Sequence, residues 1–142
     1  MKLFRFMALA IAVVMLSVCM ISCAGNGGTV DGITVNCTVS VVVDDTYILE
    51  EFTYDAVGTK EEGPTILKAV TDALFVNDIA YLADDNGFES ISDVDGNEYA
   101  NGTDNYFWIC TVDGEEIRGR AGNILVEPGQ VIVYTYSPIS EE

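Results

Sequence analysis

Apolar residues follow a period of two at the start of the main part of the chain. Between Ile33 and Val43 every second residue is apolar and most of the residues between them are polar, a pattern typical of a half-buried β-strand. Asp44-Asp45-Thr46 predicts a turn, and residues 47–54 return as a second, less regular strand. We therefore predict a hairpin over this region.

The spacing of apolar residues becomes helical after a polar loop at residues 57–64. Thr65 can cap a first turn, and the apolar residues that follow share one helical face. These residues are Ile66, Leu67, Val70, Ala73 and Leu74. We predict one amphipathic helix over residues 65–75, and no other strong helical pattern follows it.

Short strand patterns fill the rest of the chain. Asp113-Gly114 predicts a tight hairpin turn, because both residues tolerate positive φ. The predicted strands are residues 79–82, 88–92, 106–112, 115–118 and 131–136, with further turns at residues 84–87 and 127–130.

The order of a hairpin, one helix and further strands predicts an α+β fold. A mixed sheet of the β-grasp kind, with the helix packed on one face, accommodates this order. In that arrangement the first and last strands lie side by side in the centre, and these strands are the most apolar of the chain.

The first residues of the chain have the composition of an export signal. Lys2 and Arg5 precede an uncharged apolar run that ends at Ile21, and the small residue Ser22 follows. The alternative is an uncleaved membrane anchor, but the run is shorter than the ~18–20 residues that span a bilayer comfortably.

A cysteine directly after the small residue is the arrangement of a bacterial lipoprotein signal. Cys23 is therefore the predicted site of lipid attachment, with Cys19 as the alternative. The predicted organisation is a signal peptide at 1–22, a lipidated Gly-rich tether at 23–32, a folded domain at 33–137 and an acidic tail at 138–142. We expect an exported protein, anchored by its lipid on the extracellular face of the cell membrane.

Charge and composition exclude several classes of function. Removing residues 1–22 leaves four basic residues against 23 acidic ones, a formal charge of −19 that disfavours binding to nucleic acid. The chain has no histidine, which excludes Ser-His and Cys-His nucleophile pairs and zinc sites built on imidazole. We expect neither an enzyme nor a resident metal or cofactor.

Two cysteines lie within the strand patterns of the predicted domain. Cys37 and Cys110 are candidates for a disulfide in an exported protein, or for buried free thiols that act as small apolar residues. The free thiols are the preferred interpretation, because each cysteine sits within an apolar strand pattern.

Several segments together resemble the transcobalamin C-terminal-like domain, a bacterial domain of unknown function. They are GPTILKAVTDAL, NGFESISDVDG, YFWICTVDGEE and RGRAGNILVEPGQVIVYTY, and the resemblance covers residues 33–137. It implies a β-grasp domain related to the small domain that closes over the corrinoid in vertebrate cobalamin carriers. A corrinoid is therefore one ligand that the resemblance suggests, although this chain has no counterpart of the carriers' large helical domain.

Aromatic residues are concentrated in two of the predicted strands. Alternation places Tyr106, Trp108 and Cys110 on one face of their strand, and such rings serve either as core or as a ligand platform. The candidate ligand-binding residues are Phe88, Tyr106, Trp108, Tyr134 and Tyr136.

An acidic segment at residues 93–98, Asp-Val-Asp-Gly-Asn-Glu, invites comparison with a calcium loop. Its glycine is in the fourth position rather than the sixth, so an EF-hand is not predicted and a solvated turn is preferred.

Two hypotheses for function follow from the sequence. The first is a lipoprotein whose domain binds a small ligand, corrinoid-like or another nutrient. The second is a module of the cell envelope that docks another protein through a strand edge or an aromatic face.

Overall fold

The computed structural model of the chain describes residues 31–139. The predicted signal peptide, Cys19, Cys23 and most of the tether lie outside this range, as do residues 140–142. Each of those predictions therefore stays a prediction.

A long hairpin forms the first part of the domain. Strands β1 (Thr34–Val43) and β2 (Thr46–Val57) pair antiparallel, with irregular register near the turn. Asp44 and Asp45 both have positive φ, as a two-residue hairpin turn requires. The predicted hairpin is confirmed, and β2 is longer than its weak alternation suggested.

The predicted helix is confirmed as α1 (Ile66–Val76). Thr65 caps it: its hydroxyl accepts a hydrogen bond from the Lys68 backbone N–H at 3.2 Å. The buried face of the helix consists of Ile66, Ala69, Val70, Ala73 and Leu74. This face joins the inward residues of β1 in one core.

A five-stranded sheet carries the first and last strands at its centre. The remaining strands of this sheet are β6 (Tyr106–Val112), β7 (Glu115–Glu116) and β8 (Val131–Pro138), and the order is β2-β1-β8-β6-β7. Strands β1 and β8 are parallel, and the other neighbours are antiparallel, so the sheet is mixed. The central pairing of first and last strands, expected of a β-grasp arrangement, is confirmed.

Three further strands form a separate sheet. They are β3 (Tyr81–Asp84), β4 (Gly87–Ser92) and β5 (Glu98–Ala100), in that order. The expectation of one sheet was too simple, and β5 was not predicted at all. Strand β3 also begins two residues later than predicted, and β7 is shorter than the predicted 115–118.

One apolar face of the large sheet is covered by both the helix and the small sheet. Val39 and Val41 of β1 are fully buried there, as is Ile132 of β8. Phe88 and Ile91 of β4 belong to the same core cluster. No helix within residues 31–139 is long and apolar enough to cross a membrane.

Candidate functional site

A cleft of about 420 Å³ opens where the small sheet meets strand β6. Its floor contains the buried side chains of Phe88, Cys110 and Tyr134, together with Ala121. Two other hollows on the described surface, of about 310 and 480 Å³, have no buried aromatic side chain in their walls. The cleft beside β6 is therefore the best candidate for a site.

The edge of strand β6 forms one wall of the cleft. Residues 107–110 all line it, although successive side chains of a strand point to opposite faces. Only the edge of a strand can bring four consecutive residues to one cavity. The β3–β4 turn, with Asn86 and Gly87, forms the opposite wall.

Asn101 ties the two walls together at one end of the cleft. Its side-chain Nδ2 donates to the Phe88 carbonyl at 2.6 Å, and its Oδ1 accepts from the Trp108 backbone N–H at 2.8 Å. One amide side chain thus satisfies a backbone group of each sheet. The cleft opens directly beside these two hydrogen bonds of Asn101.

Close contact between two loops closes the other end. A Cβ atom on Gly122 would lie 2.7 Å from the backbone carbonyl oxygen of Asp85, so only glycine permits this approach to the β3–β4 turn. Hydrogen bonds from Asn86 lower the pKa of Asp84 in this turn, and the charge of Arg120 adds a smaller effect.

Two of the predicted ligand-binding aromatics lie in the floor of the cleft. Phe88 and Tyr134 are almost fully buried and meet edge to face, with ring centroids 4.9 Å apart. Burial raises the pKa of Tyr134, and the neighbouring Cys110 thiol adds to the effect. Tyr134 therefore remains a neutral phenol at ordinary pH.

The other three predicted aromatics join the two sheets. Trp108 Nε1 donates to the Tyr99 carbonyl at 2.8 Å, and the Tyr136 hydroxyl donates to the Ala100 carbonyl at 2.6 Å. Tyr106 packs against Tyr136 with ring centroids 5.2 Å apart. Of these three, only Trp108 also lines the cleft.

The two cysteines of the domain are free and buried. Cys110 pairs with Tyr134, which lies opposite Val41, four residues along β1 from Cys37. With ~3.3 Å per residue along a strand and ~4.8 Å between strands, the two Cα atoms are roughly 16 Å apart. A disulfide needs less than ~7 Å.

Neither thiol has the character of a reactive cysteine. Burial raises the pKa of Cys110 to about 12, opposed only by a hydrogen bond with Tyr134. Burial also raises the pKa of Cys37, and the charge of Asp55 adds to it. Activated cysteines have lowered pKa values instead.

The acidic segment at residues 93–98 forms a self-contained turn. The Asp93 carboxylate accepts hydrogen bonds from the backbone of Asp95 and Asn97, from the Asn97 side chain and from the Tyr99 hydroxyl. These bonds, with the Asn97 side chain first, lower the pKa of Asp93. Within the described part of the chain, no group of three or more acidic or cysteine side chains is placed to hold a metal ion.

The sequence interpretation missed the residues that frame the cleft. Asn101 and Gly122 carry no local motif, since their roles come from partners distant in the sequence. In the sequence, the one indication of a close backbone contact at residue 122 was that it is a glycine outside the predicted turns.

Comparison with known proteins identifies the fold. No family model and no curated protein matches the chain. The structure is similar to haptocorrin in complex with Cbi, with a TM-score of 0.56 and 20% identity. The match covers 77% of this chain and 26% of that chain, so this chain spans about a quarter of haptocorrin.

A second solved structure resembles the chain more loosely. It is a protein from Ruminococcus gnavus ATCC 29149, provisionally described as metal binding, with a TM-score of 0.47 and 18% identity. That match covers 75% of this chain and 99% of the other. The likeness to haptocorrin agrees with the transcobalamin-like fold expected from the sequence.

Proposed function

We propose that the domain binds a small molecule in the cleft between β4 and β6. The observation that carries the proposal is a concave site with a buried aromatic floor beside the edge of a strand. Its volume of about 420 Å³ lies within the ~300–1,000 Å³ typical of ligand pockets. Phe88, Trp108 and Tyr134 are the proposed contacts, whereas Tyr106 and Tyr136 support the site from behind.

A corrinoid is the first ligand class to test. The sequence resemblance suggests it, and haptocorrin, whose fold is similar, was solved in complex with Cbi. The match covers about a quarter of that chain, so we propose that this domain contributes its own contacts to the ligand. Other neutral nutrients are the next class to test.

The charge on the rim narrows the choice of ligand. Asp84, Glu89 and Glu116 line the cleft, and no lysine or arginine of the described residues does. An anionic ligand would meet repulsion here, so we propose a neutral or cationic one.

Binding rather than catalysis is the proposed role of the site. The chain lacks histidine, and the thiol and phenol in the floor have raised pKa values. Neither group is available as a nucleophile or base near neutral pH.

The site is tested by calorimetric titration of the full chain, in detergent, with cobamides and then with a panel of neutral metabolites. Glu89→Trp places a large ring at the mouth of the cleft, and Val94→Trp places the same ring at a fully exposed position outside it. We expect saturable binding that Glu89→Trp abolishes and Val94→Trp leaves unchanged. Absence of saturable binding to every compound would refute the proposal.

We further propose that Cys23 carries a lipid and residues 23–32 tether the domain to the outer face of the membrane. The export-type composition of residues 1–22 supports this proposal. Metabolic labelling with a fatty acid should be lost in Cys23→Ala and retained in Cys19→Ala. The reverse pattern would move the attachment site to Cys19.

Docking of an envelope protein is the second candidate function. Strand β2 favours it, because this strand of 12 residues forms one edge of the large sheet. A partner that adds a strand there would shift the backbone amide resonances of β2 and leave those of β6 unchanged.

A further inference from the structure

Strand β6 has one paired edge and one edge that is open over part of its length. It pairs with β8 along its whole length, from Tyr106 to Val112. On the other side it pairs with β7 only at Thr111 and Val112. The remaining edge faces the cleft.

The direction of each backbone group of β6 follows from the bonds at its two ends. Ile139 N–H donates to the Asn105 carbonyl, and Asp113 N–H donates to the Val131 carbonyl. The backbone N–H and C=O groups of odd-numbered residues in β6 therefore point toward β8 and bond to it. Those of even-numbered residues point the opposite way, toward the cleft.

Most of these outward groups already have partners. Gly102 N–H donates to the Tyr106 carbonyl, Asn101 Oδ1 accepts from the Trp108 N–H, and Ile117 N–H donates to the Cys110 carbonyl. Among residues 31–139, two consecutive outward groups remain unpaired: the Trp108 carbonyl and the Cys110 N–H. They flank Ile109 in the wall of the cleft.

We infer that the cleft recognises its ligand through the backbone of one amino-acid residue, whose own N–H and C=O pair with the Trp108 carbonyl and the Cys110 N–H. This inference rests on the proposed small-molecule function and names the chemical class of the ligand. A ligand N–H bonds to the carbonyl and a ligand C=O bonds to the N–H, as one residue of an added strand would.

The length of the open edge limits the size of the ligand. Asn101 occupies the edge on one side of the gap, and Ile117 occupies it on the other. A longer peptide strand would have to displace one of them. The site therefore fits a single residue with both ends capped, rather than an extended chain.

The surroundings of the gap define the rest of the ligand. A residue that pairs opposite Ile109 places its side chain on the same face as Ile109, where Phe107 and Ile109 line the cleft and suit an apolar side chain. The acidic rim of Asp84, Glu89 and Glu116 disfavours a free carboxylate. An uncharged, N-acylated amino acid amide with an apolar side chain meets both conditions.

The test uses N-acetyl-leucine methylamide as the probe and the ¹⁵N-labelled full chain in detergent. We expect saturable shifts of the Cys110 backbone amide resonance and of Trp108, with Val94→Trp behaving like the wild type and Glu89→Trp showing no shift. Methylating the leucine nitrogen of the probe removes the donor that bonds to the Trp108 carbonyl, while the methylamide N–H of the probe is kept. Affinity should then fall about tenfold or more.

The outcomes separate this inference from the proposed function. If a cobamide or metabolite binds the cleft while the probe leaves the Cys110 resonance unmoved, or if N-methylation has no effect, the amide inference is overturned and the small-molecule function stands. If nothing binds the cleft, both are overturned.

Discussion

At the scale of single residues, one amide side chain holds the walls of the candidate site in place. Asn101 satisfies the Phe88 carbonyl of one sheet and the Trp108 N–H of the other. Trp108 and Tyr136 reinforce the same junction by donating to the carbonyls of Tyr99 and Ala100. These bonds explain why the aromatic side chains are oriented into the junction rather than presented to solvent.

Replacing Asn101 with alanine should weaken the junction. The change leaves one backbone donor and one acceptor without partners, at a cost of about 1–3 kcal/mol in the free energy of unfolding. Chemical denaturation of the full chain measures this loss. Asn123→Ala, at an exposed position, is the matched control and should change stability little. Equal stability of both variants would show that the bonds of Asn101 contribute nothing.

The thiol of Cys110 should resist alkylation while the domain is folded. Its pKa of about 12 leaves very little thiolate at pH 8, and its side chain is buried. Iodoacetamide labelling followed by peptide mass spectrometry should find Cys37 and Cys110 unmodified in buffer and modified in denaturant without reductant. A peptide pair linked through these two cysteines would contradict the free thiols.

Asp93 should contribute to the pH dependence of stability. Hydrogen bonds in the folded state, from the Asn97 side chain first, lower its pKa below the ordinary value of a carboxyl group, so its stabilising effect is present above pH ~4 and is lost as the pH falls through the lower folded value. The Asp93→Asn variant should therefore lose less free energy of unfolding than the wild type between neutral and acidic pH. Asp95→Asn, in the same turn, is the control. Parallel pH profiles for the wild type and Asp93→Asn would argue against this role.

At the scale of elements, local sequence signals decided where the helix and most strands begin. Thr65 starts the helix because its hydroxyl satisfies the otherwise unpaired N–H of Lys68. Asp113 and Gly114 adopt the positive φ that a tight hairpin requires. Strand β5 lacks such a signal, since it has only three residues and is stabilised by pairing with β4.

Removing the helix cap should destabilise the domain measurably. Thr65→Ala deletes the oxygen that accepts from Lys68 N–H, and loss of such a cap typically costs about 1 kcal/mol. Thr71→Ala is the control, because alanine is favoured within a helix and Thr71 bonds only the preceding turn. Thermal or urea unfolding compares the two variants. If Thr65→Ala is as stable as Thr71→Ala, the cap contributes little.

At the scale of the whole molecule, acidic residues far outnumber basic ones. The chain has 23 acidic residues against six basic ones. Only two ion pairs form within residues 31–139, Lys60 with Asp31 and Lys68 with Asp72, and the lysine of each is exposed. Most carboxylates therefore repel one another without a neighbouring cation.

Salt should accordingly stabilise the domain. At about 1 M NaCl the screening length falls to ~3 Å, which suppresses repulsion between surface carboxylates. We expect the midpoint of thermal unfolding of the full chain to rise with NaCl concentration. Neutral sucrose supplies a comparison without ionic screening. A midpoint that falls with salt would mean that the ion pairs outweigh the repulsion.

The sequence by itself determined the elements whose signals are local. Alternation defined β1, apolar strand patterns next to turns defined β6 and β8, and helical spacing with Thr65 defined α1. The apolar character of the first and last strands agreed with the central pairing expected of a β-grasp arrangement. Such patterns depend on neighbours within a few residues, so no tertiary information was needed. The lipoprotein signal is also local, and it remains a prediction.

Only the tertiary structure decided how these elements create a site. The division into two sheets, the bridge made by Asn101 and the close approach at Gly122 all join residues that are distant in sequence or lack a motif. Trp108 was predicted as either core or ligand platform; in the structure it bonds across the junction to the Tyr99 carbonyl and also lines the cleft. Alternation assigns a side chain to a face, but which element covers that face, and where a strand edge stays open, depends on the packing of the whole domain.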